Sequence, residues 1–173
     1  MPDQSPDQSP DQFSDVLAAN ADYARTFALR GLEPVAGRGL AVVTCMDSRI
    51  EPLDMLGLKP GDAKIMRNAG ARVTSDVLRT LALATHLLGV TRVMVVAHTK
   101  CKMASATREE VVSTIEAQSG IDVRSLDFRL VADQEATLRD DVQRVRSWPF
   151  LPAGVPVGGF RYDVDTGRLE HLV

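Results

Sequence analysis

Two short apolar runs, residues 40–44 and 92–97, each break off into a cluster of chemically capable side chains. The first reads Leu40-Ala41-Val42-Val43-Thr44 and leads into Cys45-Met46-Asp47-Ser48-Arg49. The second carries Val93-Met94-Val95-Val96-Ala97 and leads into His98-Thr99-Lys100-Cys101. Both are short, rich in β-branched residues and free of polar alternation. That pattern suits strands buried on both faces, which occur in parallel sheets covered by helices.

The segments between them supply the helices. A helical period covers residues 13–29, with Phe13, Val16, Leu17, Tyr23 and Phe27. Residues 52–58 form a short helix stopped by Lys59-Pro60-Gly61-Asp62. From Ser75 onward Val77, Leu78, Leu81, Ala84, Leu87 and Leu88 recur at helical spacing until Gly89. Further helices are expected at residues 103–118 and 133–147, and a strand at 63–66. Residues 157–173 read as strand, turn at Asp165-Thr166-Gly167, and strand. The fold expected is α/β: a single domain with a mainly parallel β-sheet flanked by helices, and a C-terminal β-hairpin on the sheet edge. Residues 13–173 form this domain, whereas residues 1–12, a repeated Pro-Asp-Gln, read as a disordered tail.

Composition narrows the function. A chain of 173 residues has room for one sizeable core. Its 20 Lys+Arg against 23 Asp+Glu, with no dense basic run, give no electrostatic footprint for nucleic acid. An aromatic content of 5% offers little surface for base stacking. No stretch reaches the roughly 18–20 apolar residues that span a bilayer, and the start lacks a signal-peptide pattern, so a cytoplasmic location without membrane association is expected. In that reducing compartment the two cysteines are ligands, a reactive thiol or core residues before they are a disulfide.

Ligands of open parallel sheets gather beyond the carboxyl ends of strands, where strand order switches. Cys45 and His98 both fall at such ends, and Cys101 follows His98 by three residues, so one turn can aim both at one ion. Thiolate and imidazole suit tetrahedral zinc, and three protein ligands leave a position for a water that the metal acidifies. Asp47 lies two residues after Cys45, on the same side of an extended chain, and Arg49 two further on. Asp47 can accept from the water or take the fourth metal position, and Arg49 can hold it by a forked pair. From spacing alone two buried thiols and a satisfied histidine remain the alternative.

Cys45-Met46-Asp47-Ser48-Arg49, Arg67-Asn68-Ala69-Gly70 and His98-Thr99-Lys100-Cys101 resemble the β-class carbonic anhydrases in identity, order and spacing, most closely the short archaeal and mycobacterial branch. The resemblance runs from about Asn20 to the C-terminus and includes Gly158-Gly159-Phe160-Arg161-Tyr162-Asp163. It implies zinc-dependent reversible hydration of CO2 to bicarbonate and a proton. It further implies one zinc per chain on Cys45, His98 and Cys101, an Asp47–Arg49 dyad with Asp47 able to ligate, and homodimers, often paired into tetramers, on which the N-terminal helix packs. Hydrolysis of CS2 or COS at the same zinc, or zinc binding with little turnover, are the alternatives it leaves. The chain departs from the family pattern at Lys100 and at Lys102, which stands where glycine usually follows the cysteine. Either both lysines face solvent, or Lys102 reduces or redirects activity by its charge, by filling space that glycine leaves for substrate, or by loss of a positive-φ backbone.

Overall fold

The structure is a computed structural model that describes residues 12–173. The expected tail lies outside the described residues except for Gln12, which is in a turn. The chain divides into two units, one through Leu32 and one over Glu33–Val173.

In the first unit, α1 (Ser14–Arg25) has no buried residue. It is shorter than the sequence suggests. The Thr26 amide turns back to the Tyr23 carbonyl, so Phe27 falls outside the helix and packs edge-on against Tyr23 at 5.6 Å between ring centres.

The second unit is built on five strands: β1 (Leu40–Cys45), β2 (Ala63–Asn68), β3 (Arg92–His98), β4 (Val157–Tyr162) and β5 (Leu169–His171). Their spatial order is β2-β1-β3-β4-β5. The first four are parallel, and β5 returns antiparallel to β4 as the expected edge hairpin. Strand β1 is buried along its whole length, as its unbroken apolar run requires. The chain leaves β1 to one side for β2 and comes back to the other side for β3. The boundary between β1 and β3 is thus the topological switch, and it brings the ends of the two apolar runs together.

Helices α3 (Ser75–Leu87) and α6 (Gln134–Arg146) cover one face of the sheet. Val77, Leu78 and Leu81 of α3, with Leu138, Val142 and Val145 of α6, pack on Ala41, Val43, Val93 and Val95. Helix α6 sits close because Gly159 has no side chain: a Cβ there would lie 2.9 Å from Val142 Cγ2. The opposite face carries Leu40, Val42 and Val96, joined by Leu53 and Met55 of the short helix α2 (Pro52–Met55) and by Leu56 and Leu58. Past that helix, Met94 and Phe160 are only half-buried.

Two details differ from the sequence reading. Residues 103–118 are two helices, α4 (Lys102–Ser105) and α5 (Arg108–Ser119). Thr107 restarts the helix through a reciprocal capping box with Glu110, a Thr-x-x-Glu signal present in the sequence. The hairpin connection is longer than a three-residue turn, because Asp163 Oδ1 accepts from the amides of Asp165 and Thr166 and ends β4 at Tyr162.

Candidate metal centre

Cys45 is the last residue of β1 and His98 the last of β3. Parallel register pairs Thr44 with Val96, so the two strand ends stand side by side. Cys101 precedes α4 as its N-cap residue, in extended backbone, and projects back toward the strand ends. All three side chains are buried, and their ligand atoms lie within 4.8 Å of one another. In a tetrahedral zinc site with bonds of about 2.0–2.3 Å, donor atoms stand roughly 3.5–3.8 Å apart. The preformed cluster is therefore within about 1 Å of the geometry that such an ion requires.

Hydrogen bonding fixes which ring nitrogen faces the cluster. His98 Nδ1 lies 2.9 Å from the Thr99 carbonyl. A carbonyl only accepts, so Nδ1 carries a proton and Nε2 is the ring nitrogen turned to the cluster. That Nε2 is buried and has no hydrogen-bond partner among the described residues. Burying a polar atom without a partner is costly, and a cation between the two sulfurs satisfies it. The donor set and this orphaned nitrogen fit zinc.

Each sulfur is also solvated by backbone. Cys45 accepts from the amides of Gly70 and Asp47, and Cys101 from those of Met103 and Ala104. Without metal, the Cys101 thiol donates to Cys45 and holds its pKa well below the usual thiol range, against the opposing effect of burial. The same bond, reinforced by burial, pushes Cys101 up. The pair thus shares one proton, which a metal would displace.

Asp47 and Arg49 flank this cluster. Arg49 Nε donates to Asp47 Oδ1 at 2.9 Å and Nη2 to Oδ2 at 2.8 Å, a forked pair. These bonds and the Arg49 amide hold the Asp47 carboxyl far below the usual carboxylate range. Asp47 Oδ2 is 3.9 Å from His98 Nε2, so the carboxylate stands beside the donors while both of its oxygens are engaged by Arg49. Arg49 is anchored further by the Lys100 carbonyl at 3.0 Å.

Two groups support the cluster from outside: Arg67, whose motif the sequence offers either as support for the cleft or as a brace for the turn at Gly70, and Gln134, which the sequence does not single out. Arg67 donates to the carbonyls of Cys45 and Asp47, at 3.0 and 2.7 Å, and so fixes the backbone that carries both residues. Gln134 Nε2 donates to the His98 carbonyl at 2.8 Å. Nothing in the sequence signals a contact from α6 to a residue 36 positions earlier. His86 and His171 are exposed and bond to the carbonyls of Phe150 and Val173, outside the cluster.

The left-handed backbone expected at Lys102 lies at Lys100 instead. Lys102 is the first residue of α4 and is exposed, so glycine's positive-φ freedom is not needed there. The left-handed residue is Lys100, at φ 55°, and that twist turns its carbonyl toward Arg49. Its ammonium pairs with Asp165 of the hairpin connection at 2.6 Å, in an exposed setting. A left-handed backbone costs an ordinary residue about 1–2 kcal/mol, and asparagine tolerates it better. An exposed ion pair contributes about 0–1 kcal/mol. Lys100→Asn should thus raise the melting temperature by about 1–2 °C, whereas Lys102→Gly, which places a poor helix former in α4, should lower it by about 2–4 °C. Zinc content should be unchanged in both. Differential scanning calorimetry and metal analysis check the pair, and the same sign of shift for both would contradict it.

Residues 40–169 match the family model described as carbonic anhydrase. The chain is 35% identical to β-carbonic anhydrase 1 of Mycobacterium tuberculosis over 159 residues, which covers 91% of this chain and 96% of the relative. It is 30% identical to a carbon disulfide hydrolase of Saccharolobus solfataricus, covering 83% and 82%. Among solved structures, a carbonic anhydrase from Streptococcus mutans superposes with a TM-score of 0.86 at 35% identity, over 93% of this chain and 97% of that one. With its Cys-His-Cys cluster at the β1–β3 switch, the chain belongs to the β-carbonic anhydrase family.

Proposed function

We propose that this protein catalyses the reversible hydration of CO2 to bicarbonate and a proton. The observation that carries the reading is the buried Cys45-His98-Cys101 cluster, with an orphaned His98 Nε2 and a forked Asp47–Arg49 pair beside it. Zinc held by those three residues supplies a Lewis acid that makes water acidic near neutral pH. His98 presents Nε2 because Thr99 holds the opposite proton. Asp47 offers an ionised oxygen beside the donors and orients the attacking water by accepting its hydrogen. Arg49 keeps that carboxylate from turning onto the metal, and the Lys100 carbonyl keeps Arg49 in place. With the fork open, Asp47 would be free to reach the remaining metal position and close it.

The test is stopped-flow CO2 hydration with metal analysis, and CS2 hydrolysis assayed in parallel. About one zinc per chain with hydration supports the reading. Zinc with CS2 turnover alone moves the substrate to CS2, and zinc with neither overturns the enzymatic reading.

A homodimer in the cytoplasm completes the proposal. Two buried free thiols at a metal cluster favour a reducing compartment, and no helix among the described residues is long and apolar enough to cross a membrane. Val16, Leu17 and Tyr23 on α1 are exposed. The open sheet face carries an apolar groove of about 450 Å³ floored by Leu40, Leu58, Met94 and Phe160. An amphipathic helix of a second copy fits such a face. Sedimentation should give twice the 18.8 kDa chain mass, or a multiple of that dimer, and Leu17→Asp should shift it toward monomer. A wild-type monomer at micromolar concentration would refute the dimer.

A further inference from the structure

A buried ion pair, distant in sequence from the metal cluster, is tied to one of its sulfurs. Arg72 follows the short 3₁₀ turn Ala69–Ala71. Its Nε donates to Asp141 Oδ2 of α6 at 2.7 Å, and its Nη1 donates to the Arg129 carbonyl at 3.1 Å. The Asp141 side chain is 5% exposed and that of Arg72 18%. Asn68 closes the turn from the other end: its Oδ1 accepts from the Arg72 amide and its Nδ2 donates to the Arg72 carbonyl, both at 2.7 Å. Between these anchors the backbone takes two successive left-handed steps, Gly70 at φ 80° and Ala71 at φ 58°. Ala71 is a buried non-glycine residue in that region. Such a conformation persists only when its surroundings hold it.

The consequence lies at the turn's crown, where the Gly70 amide donates to Cys45. Gly70 is also pressed against α4, since a Cβ there would lie 3.3 Å from Met103 Cβ. Ala71 packs in one cluster with Cys45, Ile50 and Cys101. The turn therefore cannot shift without moving the amide away from the sulfur.

We propose that Arg72 and Asp141 are positioning residues for the metal centre: clamped between α6 and Asn68, the turn holds the Gly70 amide against the Cys45 sulfur and so sets how strongly that thiolate binds the metal. Among the described residues neither makes a hydrogen bond or ion pair to a cluster donor, although Asp141 lines a small cavity with His98 and Cys101. Amide–sulfur hydrogen bonds withdraw electron density from a thiolate and fix its direction. Outer partners of metal ligands commonly change metal affinity by about 10–100-fold when removed. The proposal rests on the metal reading above.

Cobalt(II) is the probe, because its thiolate-to-metal charge-transfer bands report the Cys–metal bonds directly, independently of activity. Wild type, Asp141→Asn and the double variant Arg72→Met/Asp141→Leu are titrated with cobalt, and zinc affinity is measured by chelator competition. The double variant replaces the ion pair with apolar side chains of similar size, an exchange that folds generally tolerate, so it separates the clamp from stability. The expected result is a shifted charge-transfer band and zinc binding weakened by about 10–100-fold in both variants. Folded variants with wild-type bands and affinity within twofold overturn the proposal. A wild type that takes up no cobalt overturns the metal reading and this proposal with it.

Discussion

Cys101→Ser removes zinc and CO2 hydration together while leaving the fold in place. Serine keeps the size and the cap position before α4, but a hydroxyl is not ionised near neutral pH and is a poor zinc donor. With two donors left, Cys45 and His98, the ion is no longer retained. A Lewis acid stabilises charge in the transition state by several kcal/mol; about 4 kcal/mol corresponds to roughly a thousandfold in rate. Hydration should fall by at least that factor. The measurements are zinc per chain after desalting, stopped-flow hydration, and melting with and without added zinc. Wild-type melting should rise with zinc, since a ligand that binds only the folded state stabilises it by mass action, and the variant's should not. In the metal-free state the two proteins should melt within a few degrees, because the core clusters under α3 and α6 do not include Cys101. A variant that keeps its zinc and its rate would remove Cys101 from the site.

The convergence of Cys45, His98 and Cys101 was legible because the information that places them is local. A β-branched run predicts a strand, and Cys45 and His98 terminate such runs. The alternation of strands and helices predicts a parallel sheet, and the switch rule then brings the strand ends together. The sequence does not specify which non-local polar groups converge on the backbone there. Gln134 and Asp141 look like ordinary exposed residues of their helix until the seat of α6 is known. The lysines show the same limit. Backbone handedness at Lys100 is set by the Arg49 guanidinium reaching its carbonyl, a contact across 51 positions. The resemblance, through the glycine that usually follows the cysteine in the family, implied instead that the special backbone lay one residue after Cys101, where α4 in fact begins. The break between α4 and α5 was by contrast readable, since Thr107 and Glu110 form a standard start signal that the apolar period of residues 103–118 concealed.

Asp47→Asn separates orientation of the water from binding of the metal. Asparagine keeps the shape and one acceptor oxygen, but its amide nitrogen faces the Arg49 donors where Oδ1 and Oδ2 each accept today. The fork is lost, and with it the ionised oxygen beside the cluster. Zinc content should stay near one per chain, because Cys45, His98 and Cys101 are untouched. A positioned proton acceptor contributes about 10²–10⁴-fold, so kcat/KM should fall by about a hundredfold or more. The pH dependence gives the sharper check. Arg49 lowers the folded-state pKa of Asp47 below its unfolded value, which is near 3.9 for a free aspartate. Pairing therefore adds stability that is complete above the unfolded value and is lost only as pH falls through the lower, folded one. Across pH 6–9 Asp47 stays ionised, so its own titration does not shape the rate profile there. The variant should accordingly lose the same factor at every pH in that window, with no displacement of the midpoint. A displaced midpoint at undiminished plateau rate would show that Asp47 tunes the acidity of the site rather than orienting water within it.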